Sequence, residues 1–293
     1  MKFYALAAAS VLPALFAAPA FAQSQADPGV TSEVPDNTVY DGDFISVGIG
    51  AAYGPSYTGS DDYTAFVLPI VQASYKGIDF NPRPGGIAVD LVPDADEGPN
   101  LSAGPFARIR RDRVNLDGIN DRVVEAYGEL DMAIEVGGTV GVGFPAVLNP
   151  YDSLSANVDI GWDVNGAHGG MVIAPNITYF TPLSRGMAAS LSVNTSYVDD
   201  DYSEYYYSVP ETNTLLPDED VLPGYRADGG FDRAGVNLLI AYDLNGDLTD
   251  GGFSIVGLGG YSRLFGDAKN TPFTRIRGDA DQFLIAAGIG YTF

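Results

Sequence analysis

Along most of this chain apolar residues return at every second position. In residues 43–53, Ile45, Val47, Ile49, Ala51 and Tyr53 alternate with Ser46, Gly48, Gly50 and Ala52. From 129 to 144, Leu130, Met132, Ile134, Val136, Val140, Val142 and Phe144 alternate with Glu129, Asp131, Ala133, Glu135, Gly137, Thr139, Gly141 and Gly143. Residues 153–164 repeat the pattern, and 281–293 end the chain with Phe283, Ile285, Ala287, Ile289, Tyr291 and Phe293 on one side. A period of two is the signature of an extended strand with two unlike faces. The pattern marks eleven strands in all, near 43–53, 65–75, 87–91, 101–110, 129–144, 153–164, 171–179, 189–197, 234–242, 252–263 and 281–293.

The second face separates two fold classes. A soluble sandwich buries its apolar face and shows Lys and Glu outside. Here the second face is mostly Gly, Ala, Ser, Thr and Asn, which suits the crowded interior of a small barrel whose apolar side meets lipid. The expectation is therefore an all-β fold, a transmembrane antiparallel β-barrel. Such barrels have an even number of strands with both termini on the periplasmic side, so one strand is missing from the eleven. Pro and Gly obscure the pattern between Lys76 and Gly128, which places the missing strand there and gives about twelve, within a range of ten to fourteen. Some positions resist the alternation. Phe66, Leu68 and Ile70 blur the second strand, Leu284 stands alone on the small face of the last, and the register of 252–263 is ambiguous. Tyr53, Tyr75, Trp162, Tyr179, Tyr197, Tyr242 and Tyr291 recur at strand ends, as interfacial aromatic girdles do.

The ends of the chain read differently. Lys2, the apolar run of residues 5–18 and Ala20-Phe21-Ala22 form an export signal, with cleavage between Ala22 and Gln23. Residues 23–41 read as a flexible periplasmic lead and 42–293 as the barrel. The acidic, Tyr-rich segment 199–232 is the longest insertion and is expected outside the cell, since barrels keep their long loops there.

Composition narrows the chemistry. Cys 0 removes disulfides and thiol catalysis. A net charge of −23 excludes nucleic acid, which demands basic patches. Alternation turns Glu129, Asp131, Glu135, Asp159, Asp163 and Asp243 inward, with Arg108, Arg110 and Arg233. They would either plug the bore with ion pairs or favour cations along it; at about twelve strands a filled or narrow bore is expected. The single histidine, His168, sits in a short Gly-rich turn and is read as structural. No nucleophile motif accompanies it, so no enzyme, catalytic residue, metal or cofactor is expected. Tyr291 and Phe293 end the chain as a signal read by the outer-membrane assembly machinery would.

Several stretches resemble the MipA/OmpV family of outer-membrane proteins: Tyr261-Ser-Arg-Leu-Phe-Gly-Asp-Ala268, Pro272, Arg277-Gly-Asp-Ala-Asp-Gln-Phe283, Gly288-Ile-Gly-Tyr-Thr-Phe293 and Gly48-Ile-Gly-Ala-Ala-Tyr-Gly-Pro-Ser-Tyr-Thr-Gly-Ser-Asp-Asp-Tyr63 followed by Leu68-Pro69. Weaker matches are Gly104-Pro-Phe-Ala-Arg108, Ala133-Ile-Glu-Val-Gly-Gly138 and His168-Gly169. The resemblance implies residence in the outer membrane of a Gram-negative bacterium, among its lipid and lipopolysaccharide. It further implies a scaffold that brings a lytic transglycosylase to a murein synthase. Porin-like and adhesive members of the family supply the alternatives, a surface adhesin or a narrow channel for small solutes, which the acidic inner face would make cationic.

Overall fold

A computed structural model describes residues 38–95 and 98–293. The export signal, its Ala22/Gln23 cleavage site and most of the expected lead lie outside the described residues. Twelve antiparallel strands close into a barrel, each beside its sequence neighbours, with the first paired to the last. They are β1 (Phe44–Pro55), β2 (Tyr63–Tyr75), β3 (Ile78–Arg83), β4 (Gly86–Asp90), β5 (Asn100–Arg110), β6 (Ala133–Pro145), β7 (Ser153–Asp163), β8 (Met171–Ser184), β9 (Met187–Val198), β10 (Gly230–Asp243), β11 (Gly252–Leu264) and β12 (Asp281–Thr292).

The missing strand is β3, inside the stretch where it was expected. Pro82, Pro84, Gly85 and Gly86 hide it, because they make a hairpin of only six and five residues around a tight turn. Gly85 takes φ 71 after Pro84, the combination that a type II turn requires.

Alternation sets the two faces. Ile49, Val67, Val140, Ile177, Val193, Ile285 and Ile289 point outward and are exposed, as an apolar belt facing lipid should be. Tyr53, Tyr75, Trp162, Tyr197 and Tyr242 are exposed near strand ends. At the closing pair Gly48 faces Gly290 and Gly50 faces Gly288. A Cβ on Gly50 would stand 2.9 Å from the Ala287 carbonyl oxygen, so the inner surface at the seam admits nothing larger without a shift.

The two ends of the barrel differ. At the end holding both strand termini the connections are mostly short, and Val39 at the start of the described chain donates its N–H to the Thr249 carbonyl at 2.8 Å. At the other end, taken as extracellular, the long segments 111–132, 199–229 and 265–280 fold together over the mouth. They contain the short helices α1 (Arg122–Glu125), α2 (Asp200–Tyr207), α3 (Gly266–Asn270) and α4 (Pro272–Arg275). Two apolar clusters hold this cap. One joins Tyr57, Ile119, Val124, Val209, Leu222 and Phe273; the other joins Val172, Val198, Tyr202, Tyr206, Tyr207 and Leu264. Tyr202, Tyr206 and Tyr207 of the long insertion are thus buried.

Candidate functional site

The inward charges gather at two heights under the cap. Arg108 and Arg110 lie two positions apart on β5 and so share a face, and β5 pairs with β6 so that Arg108 stands opposite Glu135. The Arg108 Nε donates to Glu135 Oε2 at 2.8 Å, its second guanidinium nitrogen donates to the same oxygen, and the Arg110 Nε donates to Oε1 at 2.7 Å. Glu135 is fully buried, and both its oxygens are occupied by guanidinium groups, so it cannot serve as an exchangeable base. Deeper in the bore Asp159 accepts from the Arg83 Nε at 2.8 Å and from the Thr139 hydroxyl at 2.6 Å. This second cross-link ties β3 to β7 across the lumen.

His168 joins the wall to the cap. Its Nδ1 accepts the Gly170 N–H at 3.0 Å, which leaves the proton of the neutral ring on Nε2. That nitrogen faces Glu135 Oε1 at 3.4 Å. The ring packs edge-on against Tyr202 of α2 at 5.0 Å between centroids, and the Arg110 guanidinium lies over the same Tyr202 ring at 5.0 Å. A turn histidine was legible in the sequence; its partner Glu135, 33 residues earlier, was not. Arg83, Tyr202 and Tyr206 were also missed, because nothing local marks a loop tyrosine or a Pro-flanked arginine as lining a bore.

The other expected inward charges divide. Arg233 is buried beside Asp232 at 3.3 Å and reaches the Thr58 hydroxyl at 3.4 Å, tying β10 to the 56–62 loop. Asp163 accepts the N–H groups of Asn165 and Gly169, so it braces its own turn. Asp243 is buried but accepts the N–H groups of Asn245 and Asp247, holding the turn at the opposite end. Glu129 and Asp131 are not in the bore. They are exposed on the loop before β6, which begins at Ala133 rather than at 129. Alternation continued falsely through them because Leu130 packs into the cap rather than against lipid.

Outside the strands, burial among aromatic neighbours raises the Tyr206 and Tyr207 hydroxyls well above their usual range. Asp121 resists protonation: burial opposes its charge, but the Arg277 guanidinium at 2.7 Å and the N–H groups of Val123 and Val124 more than offset it. The Tyr225 hydroxyl, half-buried and donating to Asp267 at 2.8 Å, is pushed up to about 12 by partial burial and by that carboxylate.

The family model described as "MltA-interacting protein MipA" matches residues 47–293. No curated protein sequence matches the chain. Among solved structures, the chain is similar to the NanC porin, at 8% identity and TM-score 0.48, covering 84% of this chain and 98% of that one. It is also similar to the COG4313 outer membrane channel from Pseudomonas putida F1, at 13% identity and TM-score 0.41, covering 92% and 100%. With a closed twelve-strand barrel and a family match over nearly all of it, the chain belongs to the MltA-interacting protein MipA family and is an outer-membrane protein of a Gram-negative bacterium.

Proposed function

We propose that this barrel is a non-enzymatic scaffold that holds murein-remodelling enzymes, a lytic transglycosylase and a murein synthase, at the inner surface of the outer membrane. The observation that carries the reading is the blocked outer mouth. The cap has its own apolar clusters, and beneath it Arg108, Arg110 and Glu135 tie the mouth together at buried positions. Such a barrel is better built to present a fixed surface than to pass solute. The family description, which names an interaction partner, agrees with it. Pull-down of the tagged barrel from detergent extracts should recover both enzymes, and recovery of neither would overturn the scaffold.

A second reading, a narrow channel for small cations, draws on the inward Asn157, Thr178 and Ser192. Steady conductance of the folded barrel in planar bilayers would favour it. Surface adhesion draws less support, since Tyr202, Tyr206 and Tyr207 turn inward. Assembly rests on the other end of the chain. Phe293 is exposed and packs its ring on Tyr291 at 4.5 Å, a terminal pair that the assembly machinery can read. Deleting Phe293 should reduce the heat-modifiable barrel in the membrane, and an unchanged amount would remove this role.

A further inference from the structure

The barrel wall is notched beside β2. This strand has thirteen residues, about 43 Å of extended chain, whereas β3 has six, about 20 Å. Pairing between them is confined to Ala73 with Phe80, Ser74 with Asp79 and Tyr75 with Ile78. Beyond Ala73, β2 keeps its ladder to β1 up to Tyr63 but faces no paired strand on its other edge among the described residues. Gly118 of the cap stands beside Thr64 at the top of this gap.

The backbone directions follow from the hairpin. A two-residue turn at Lys76 and Gly77 makes Tyr75 and Ile78 a hydrogen-bonded pair, so Ala73, Val71, Pro69 and Val67 direct their backbone groups towards β3. The same parity appears on β1, where the Ile45 carbonyl accepts from Phe293 and so faces β12, leaving the even positions of β1 for β2. Pro69 therefore removes a donor at the open edge. In β3, Ile78 and Phe80 point to β2, and so does Pro82, which removes another. An unpaired N–H is costly in hydrocarbon, and both edges of the gap are relieved of one.

What lies behind the notch is apolar. Phe66, Leu68 and Ile70 are the inward residues of β2 at this height, and they continue into Ala52, Leu239, Val256, Leu258 and Leu284. Leu68 and Ile70 remain partly exposed at the edge of this cluster. In front of it, Val67, Pro69 and Val71 are exposed on the lipid side. Lipid, a gap poor in donors and an apolar lining thus follow one another through the wall.

We infer that the β2–β3 notch is a lateral portal through which an acyl chain of a membrane lipid enters the bore and lies against Leu68 and Ile70. The portal is independent of the scaffold reading. Its test uses tryptophan variants in a Trp162→Phe background, in vesicles of brominated phosphatidylcholine. Inward Ile70→Trp should be quenched to within about twofold of outward Val71→Trp, and at least about threefold more than inward Ser155→Trp, whose strand is paired on both sides. Quenching of Ile70→Trp no greater than that of Ser155→Trp would overturn the portal. Wild-type barrel, which avoids any folding defect, supplies the second measurement. A phospholipid with a photoreactive acyl chain should label Leu68 and Ile70 as well as Val67 and Val71, and labelling of the outward residues alone would equally overturn it.

Discussion

The two walls of the bore are built on opposite principles. From β5 to β9 the inner face is mostly polar, and at the mouth it depends on a few charges each serving several partners: Glu135 alone accepts from both the Arg108 and the Arg110 guanidinium. From β10 round to β2 the inner face carries a continuous apolar cluster between polar positions such as Asn237 and Gln282, and Leu239, Val256, Leu258, Leu284 and Phe66 pack there with no directional requirement. The polar wall fixes geometry and fails abruptly. The apolar wall fills space and loses stability by increments.

Substitutions should expose that contrast. The largest effect is expected for Glu135→Ala, because it takes from the buried Arg108 and Arg110 the carboxylate that they share, and breaking a buried pair while keeping its partner costs about 3–5 kcal/mol. Urea unfolding of the refolded barrel measures it, and a loss below about 1 kcal/mol would show the cluster to be hydrated. On the apolar wall, Leu284→Ala should cost about 2–4 kcal/mol through the cavity it leaves, with the mouth intact; a cost near zero would mean that the cluster is loosely packed. The smallest effect belongs to the rim of the cap. The Tyr225 hydroxyl rises in the folded state from 10.0 to about 12, so its contribution is present below pH 10 and disappears as pH climbs from 10 to about 12. Tyr225→Phe should flatten the stability profile across that window, and an unchanged profile would assign the alkaline loss to other groups.

The strands were readable because each has one face in lipid and one in the bore, which a period of two encodes directly. The same logic failed where a second environment intervened. Leu130 and Met132 kept the alternation going through a loop, since Leu130 is held by the cap and not by the membrane. β3 escaped because a strand shortened by Pro82 and a Pro84–Gly85 turn no longer spans enough positions to show a period. The irregular positions were visible but had no meaning in isolation. Phe66, Leu68, Ile70 and Leu284, with Val256 and Leu258 from the strand of doubtful register, turn out to be neighbours on one wall.

By itself, then, the sequence determined the barrel, its outward belt and which charges on its strands could turn inward, because these are properties of single strands and of a two-residue repeat. Only the tertiary structure decided that Arg108, Arg110, His168 and Tyr202 converge on Glu135, that the acidic insertion folds its tyrosines into the mouth, and that the short β3 hairpin leaves the wall notched. Those features depend on strands far apart in the chain, whose register against one another is set by closure of the cylinder and not by any local pattern.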